Sequence, residues 1–213
     1  MTPKSNLSLG LVLTASAGCV DAVAFLQLGG FFASFVSGNT TQLGAAIAGQ
    51  PNLLGEVMIA LPLALVTLFF IGGVVGTLVV RRNGKRGSLA IMTTVALTLV
   101  VVSLLRLKGA LIVQPVLLLA AAMGAQNAAV QPIGAARLGV TYVTGTLFNA
   151  AADFAGSIRG EVPKWRWLQH IAVWTAMMVG AIVGGFSHWL FGLYALLLPA
   201  AAIFIVMLIF RRM

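Results

Sequence analysis

A short segment is written twice in this chain, and both copies lie in sequence apolar enough to enter a bilayer. The first reads Ser34-Phe35-Val36-Ser37-Gly38-Asn39-Thr40-Thr41-Gln42 and the second Thr141-Tyr142-Val143-Thr144-Gly145-Thr146-Leu147-Phe148-Asn149. The pairing runs without a gap to Gly49 and Gly156 and retains Val36/Val143, Gly38/Gly145, Ala45/Ala152 and Ala48/Ala155. A β-prone run, a hydroxyl residue, a glycine and then an alanine-rich helix is the pattern of a broken membrane helix. Broken helices repeated in two halves of a secondary transporter mark a substrate site near the bilayer midplane.

The remainder of the chain agrees with a membrane setting. Hydrophobic residues make up 60% and charged residues 8% of the sequence, against about 25% charged in a soluble globular domain. Apolar stretches of span length recur from end to end, and none carries the short apolar core and small-residue cleavage site of a removable signal peptide, so the N-terminus is expected to be retained. Thirteen Lys and Arg against four Asp and Glu give a net charge of +9. These cations lie in short loops beside spans, where they act as orientation signals, so no nucleic-acid partner is expected. The single Cys19 forms no internal disulfide.

The first half divides into a span from about Ser8 to Phe31, the motif segment to Gly49, a span from Leu53 to Val80 and one from Ser88 to Leu105. The second half repeats the order as Leu111 to Ile133, the motif segment to Gly156, Trp167 to Trp189 and Leu190 to Phe210. Flanking landmarks keep register: Gly18-Cys19-Val20-Asp21-Ala22 matches Gly124-Ala125-Gln126-Asn127-Ala128, and Gly72/Gly76 matches Gly180/Gly184. One integral domain, 1–213, is expected, with repeat one over about 8–107 and repeat two over about 111–211.

Charge selects among topologies. If neither motif segment crosses fully, Lys4, Arg81, Arg82, Lys85, Arg86, Arg137, Arg159, Lys164, Arg166, Arg211 and Arg212 share one side and only Arg106 and Lys108 the other, 11 to 2. That is the positive-inside asymmetry. If both cross, the split is 5 to 8 with the wrong sign. The predicted fold is therefore all-α transmembrane, with six full spans in a 3+3 inverted repeat, two broken or re-entrant half-helix segments and both termini cytoplasmic. Letting the first motif alone cross gives 10 to 3, a seven-span alternative.

Non-helical backbone at membrane depth survives only where protein or a wet cavity satisfies it, so the motif segments are expected to face inward. Gly38 and Gly145 suit a break because glycine accepts backbone angles closed to other residues. Ser37 and Thr144 suit helix N-caps. Two opposed helix N-termini would then hold a small polar or anionic solute, with Ser37, Gly38, Asn39, Thr40, Thr144, Gly145, Thr146, Gln126 and Asn127 as candidate substrate-binding residues. The plainer reading is that Ser-Gly and Thr-Gly only permit close helix crossing.

Asp21 is the costliest residue in the chain if charged, at about 2.5–3.5 kcal/mol for an Asp at the centre of a membrane helix, so it must be protonated, paired or wet. Its repeat partner Asn127 cannot ionise. Asp21 is the first candidate for proton coupling. Asp153, on the stripe of Thr146 and Asn149, is the second, with pairing to Arg137 or Arg159 as its structural alternative. Gly72/Gly76 and Gly180/Gly184 read as helix-contact faces, with a dimer contact among their uses, and His170 and His188 as members of an interfacial belt with Trp165, Trp167 and Trp189. Gln114-Pro115 and Gln131-Pro132 read as a span boundary and a kink. No metal, cofactor or phosphate-binding signature is present, and no nucleophile, base and orienting partner occur together, so no enzyme is expected.

At Gly18-x-x-Asp21-Ala22, Ser37-Gly38-Asn39-Thr40, Gly124-Ala125-Gln126-Asn127 and Thr141-Tyr142-Val143-Thr144-Gly145-Thr146 the chain resembles the YoaK-like family of small bacterial membrane proteins, over nearly its whole length. The resemblance implies a polytopic inner-membrane protein of about six spans and supplies no substrate. Opposed half-helices also resemble the sulfate and uracil permease architecture, a likeness of fold alone. The leading expectation is a small-solute transporter, proton-coupled through Asp21. A passive anion or small-solute channel and a non-transporting scaffold are the alternatives. The chain is small for a transporter, which admits a homodimer in the bilayer.

Overall fold

The computed structural model describes residues 4–52, 55–105, 113–129 and 143–212. The described residues are helical, with no strand among them: α1 (Lys4–Gln27), α2 (Val36–Ile47), α3 (Ala60–Leu104), α4 (Val113–Ala129), α5 (Val143–Ile158), α6 (Arg166–Phe191) and α7 (Leu197–Arg212), with a 3-10 turn at Gly192–Leu196. Three helical stretches, Leu7–Gln27, Ala60–Leu104 and Arg166–Ile209, are long and apolar enough to cross a membrane, and Pro115–Ala129 is a shorter apolar helix.

The two longest stretches are each folded at a glycine. Gly84 has φ 53° and ψ −129°, and Gly192 has φ 58° and ψ −136°. An L side chain rarely adopts this setting, so glycine is what allows the chain to turn there. At Gly84 the turn is a reversal: an added Cβ on Gly87 would press on Val79 O at 2.5 Å and Val80 Cα at 2.9 Å. In an uninterrupted helix eight residues of rise, about 12 Å, would separate these positions. The arms 60–83 and 85–104 therefore form a helical hairpin. Gly84 and Gly192 lie 108 positions apart, as do Gly72 and Gly180, and Gly76 and Gly184.

The same offsets govern packing. α1 lies against α6, and α3 against α4. A Cβ on Gly18 would overlap Met177 O, one on Gly180 would overlap Ala15 O, and one on Gly184 would meet Cys19 O at 2.5 Å. In the other pair, Gly124 meets Phe69 O, Gly72 meets Ala121 O and Gly76 meets Ala125 Cα at 2.9 Å. Adding 106 to each α1 position and removing 108 from each α6 position converts the first set of contacts into the second. Each half thus lends one helix to the other, and small residues let the backbones approach where lipid offers no hydrophobic drive. From Ala15/Gly180 to Cys19/Gly184, and from Ala121/Gly72 to Ala125/Gly76, both partners advance by four residues, so each pair runs parallel. The glycine faces are spent inside the chain, and no second copy is needed to cover them.

α7 packs on α1 and α3, where Thr93 Oγ1 donates to Met207 Sδ at 2.9 Å. One buried cluster joins α1, both arms of α3, α4 and α7, including Leu13, Val20, Leu65, Met92, Leu99, Leu119, Met123, Leu196 and Ile203. Large apolar side chains face outward along the spans, among them Phe70, Leu78, Phe186 and Trp189. Such a surface would be an aggregation liability in water and is the expected surface in lipid. The chain is an all-α transmembrane protein.

Several expected boundaries move. α1 stops at Gln27 rather than Phe31, because Gly29 (φ 66°) and Gly30 (φ 109°) take the backbone out of the helix. The second full span begins at Ala60, not Leu53. At about 1.5 Å per residue α2 is about 18 Å long, shorter than a hydrocarbon core of about 30 Å. The segments carrying Arg106, Lys108, Gln131-Pro132, Arg137, Thr141 and Tyr142 lie outside the described residues.

Candidate functional site

The end of α1 is built around Asp21. Its carboxylate is buried, with only 4% of the residue exposed. Oδ1 accepts from the Ser34 backbone N–H at 2.6 Å, and Oδ2 accepts from Ser34 Oγ at 2.7 Å. Asp21 makes no ion pair among the described residues. The chain between Gly29 and Phe35 is non-helical, and three side chains hold it in place. Besides Asp21 on Ser34, Asn39 accepts from Phe32 N–H at 3.0 Å and donates to Phe32 O at 2.7 Å, and Gln42 Nε2 donates to Gly30 O at 2.6 Å. Polar residues of α1 and α2 thus supply the partners that this backbone, outside any helix, lacks.

A cavity of about 480 Å³ opens beside this anchor, lined by Gly18, Asp21, Ala22, Phe25, Leu26, Phe32, Phe35, Met177 and Ala181. Phe25 and Phe32 stand 5.1 Å apart between ring centres, and Phe32 meets Phe35 edge-on at 5.2 Å. The walls are aromatic and aliphatic, and Asp21 is the only ionisable group in the lining. The cavity exists because the non-helical segment carries Phe32 and Phe35 back over α1 while α6 closes the other side.

The motif residues divide. Asn39 is buried and works on Phe32; Ser37 and Thr40 are exposed, and Thr40 Oγ1 donates to Val36 O of its own helix at 2.8 Å. Ser37 is not the N-cap, since α2 begins at Val36 after Phe35, without a side-chain cap. Gly38 and Gly145 lie inside α2 and α5 and are not among the glycines with positive φ, so neither makes the expected break. In the first half the break falls earlier, at Gly29 and Gly30, and the stretch ahead of Val143 lies outside the described residues. Gly38 serves packing: a Cβ there would come within 2.7 Å of the Phe35 ring and 3.0 Å of the Phe32 ring. The expected anion cradle at the α2 N-terminus is also filled from within, because Val36 N–H donates to Ser34 O and the Gly38 and Asn39 N–H groups to Phe35 O.

In the second motif Thr144 is exposed and Thr146 buried. Thr144 lies within α5, which starts at Val143, so it is not a capping residue either. α2 packs on α3 and α5 on α6, and the two motif helices do not touch among the described residues. Gln126 is buried and donates to Leu13 O at 2.9 Å, bridging the two repeats. Its Oε1 and Ser16 Oγ are buried without hydrogen-bond partners. Asn127 is half-buried and donates to Met123 O at 2.9 Å, and Thr141, which matches Ser34 in the repeat, lies outside the described residues.

Asp153 is buried on α5, and among the described residues its cation is not Arg159; Arg137 lies outside them. Arg166 Nε lies 2.8 Å and His170 Nε2 3.3 Å from Asp153 Oδ2, both at the start of α6. Arg159 is taken by Glu161 at 2.8 Å on the exposed turn. This geometry ties α5 to α6, as does the edge contact of Phe154 with Trp167 at 5.2 Å. His188 lies 3.2 Å from Gln27, joining the ends of α6 and α1. Among the described residues no group of His, Cys, Asp and Glu could hold a metal ion.

Sequence reasoning missed Ser34 as the partner of Asp21, and Phe25, Phe32, Phe35, Met177 and Ala181 as cavity walls. The Gly29-Gly30 pair ahead of the first motif was the available signal, since it announces a backbone turn able to bring position 34 back to position 21.

A family model described as "Protein of unknown function (DUF1275)" matches residues 9–209. The chain is 33% identical over 212 residues to the UPF0700 transmembrane protein RA0705 of Rhizobium meliloti (strain 1021), covering 93% of this chain and 88% of that protein. It is 27% identical over 207 residues to the UPF0700 transmembrane protein YoaK of Bacillus subtilis (strain 168), covering 92% and 90%. No solved structure matches the chain.

Proposed function

The chain belongs to the DUF1275 family of transmembrane proteins, and from that premise we propose that it is a small-solute transporter, proton-coupled, whose solute site is the cavity beside Asp21. The observation that carries this reading is a buried carboxylate that borders a cavity and is also bonded to a non-helical segment at membrane depth. A carboxylate in such a place is a functional group by default. Its protonation need not break the anchor. Ser34 Oγ donates to the ionised carboxylate, and after a proton reaches Oδ2 the same hydroxyl can accept from it. The charge on the cavity wall then changes while Ser34 stays joined to α1.

The duplicated contacts supply the second support. Two halves that exchange helices at equivalent positions, with equivalent glycine turns at Gly84 and Gly192, are the architecture in which one half rocks against the other. In the topology argued from charge, the Gly84 turn is cytoplasmic and the Gly192 turn external, the repeats are inverted, α2 and α5 are re-entrant, and both termini face the cytoplasm of a bacterial inner membrane. An apolar, aromatic-walled cavity is a poor lining for a water-filled channel, which is why transport is preferred to a pore.

The test is purified protein in proteoliposomes with an imposed pH gradient. Solutes chosen by a thermal-shift screen over organic cations, carboxylates, inorganic anions and nucleobases are offered outside. Gradient-dependent accumulation by the wild type that disappears in Asp21→Asn is the expected result. Transport of no stabilising solute, with or without the gradient, would sink the reading.

A further inference from the structure

We propose that the cavity beside Asp21 is built for an amphiphilic organic monocation, a compact cationic centre carrying aromatic or aliphatic groups. This rests on the reading of the cavity as the solute site and names its substrate class.

The argument is one of complementarity. Asp21 is the only ionisable group in the lining and has no cationic partner among the described residues. Ser34 bonds to both of its oxygens, so a ligand here answers the charge of the carboxylate rather than a vacant acceptor position. A buried carboxylate with no cation nearby calls for a proton or a positively charged ligand.

The walls decide what else that ligand must be. Phe25, Phe32 and Phe35 present rings around the same cavity, and Met177 adds a polarizable thioether. Ring faces attract a cation and repel an anion, and the attraction strengthens when water is excluded. A strongly hydrated inorganic ion would find few donors or acceptors here to replace its water shell, and an anion would meet both the carboxylate and the ring faces. A volume of about 480 Å³ lies in the range of small-molecule sites and far exceeds what a proton or metal ion requires. The occupant that satisfies the charge, the walls and the volume together is an organic cation with an apolar body. Proton and cation then neutralise the same carboxylate, so the two compete, and a site they share can exchange one for the other.

Equilibrium dialysis of the full chain in lipid nanodiscs tests this with two ions of matched shape, tetraphenylphosphonium and tetraphenylborate. Protein-free nanodiscs correct for partition into lipid. The wild type should bind tetraphenylphosphonium saturably at one per chain, and the borate at least about tenfold more weakly, since one buried ion contact is worth that much. Asp21→Asn should lose about tenfold or more of the phosphonium affinity. Ala181→Phe, which fills the cavity from the α6 side, should lose it as well, and it decides the question if Asp21→Asn does not fold. Equal binding of both ions, or phosphonium binding unchanged by both substitutions, overturns the inference. If the phosphonium does not bind while another solute is moved under a pH gradient, the substrate class is wrong and the transport reading stands. If it binds through Asp21 but is never translocated in proteoliposomes, the cation site stands and the transport reading falls.

Discussion

Asp21 and Ser34 form a pair whose value can be measured. A hydrogen bond to a charged group in a buried setting contributes about 1.5–3 kcal/mol, so Ser34→Ala should lower stability by about that amount and loosen the segment from Gly29 to Phe35. Ser34→Thr keeps the hydroxyl and should recover most of it. Denaturant titration in detergent micelles checks both, and a loss below about 0.5 kcal/mol for Ser34→Ala would show that the backbone N–H bond alone holds the anchor. Gly38 gives a second residue-level test. Its missing side chain leaves room for the Phe35 and Phe32 rings, so Gly38→Val should push both rings toward the cavity and abolish solute binding while the protein still inserts. Full binding by Gly38→Val would exclude the rings from the site. Asp153 belongs to a different kind of pair. Arg166 is about half exposed, so solvent screening leaves Asp153→Asn costing only about 1 kcal/mol, and transport should continue.

Helices here are recognised by where they touch rather than by how hydrophobic they are. α1 is apolar on every face, so periodicity does not say which side packs and which meets lipid. The glycines do say so. Gly18, Gly180 and Gly184 on one pair, and Gly124, Gly72 and Gly76 on the other, each bring a backbone carbonyl of the partner within a side chain's width. Adding a methyl at Gly180 forces the α1/α6 backbones apart, and overpacking of this kind costs about 1–3 kcal/mol. Gly180→Ala and its counterpart Gly72→Ala should therefore show similar losses of thermal stability, and larger side chains at either position should prevent folding. Loss at one position and tolerance at the other would mean that the two interfaces are alike in sequence but not in energy. α2 and α5 illustrate the opposite case. Their similarity in sequence suggested two helix ends open to a solute, yet the α2 end has most of its N–H groups already bonded to the preceding turn.

For the molecule as a whole, the decisive test is sidedness. In a Cys19→Ala background, cysteines placed at Asn83 and Glu161 should be labelled by an impermeant maleimide only after the cytoplasmic face is opened, and one replacing Leu190 should be labelled from outside intact cells. Labelling at 161 from outside would overturn the inverted arrangement and, with it, the two-sided access that transport requires.

Some of this protein could be read before any coordinates, and the reason is that the relevant signals are local. Span length, the loops rich in Lys and Arg, and small residues four apart are properties of short windows, so membrane insertion, the all-α class and the helix-contact glycines were legible. That Asp21 needs partners was legible for the same reason, since a lone acid in an apolar span is costly wherever it lies. What folding alone settles is which distant groups meet. The reversal at Gly84, the turn at Gly192 and the exit from α1 at Gly29 and Gly30 set where each helix is carried. The turn at Gly29 and Gly30 decides that Asp21 meets Ser34, and the turn at Gly160 (φ 72°) that Asp153 meets Arg166 rather than Arg159. The exchange of helices between halves and the aromatic cavity follow from those turns together, and no window of sequence holds them because their walls come from α1, the segment after it and α6.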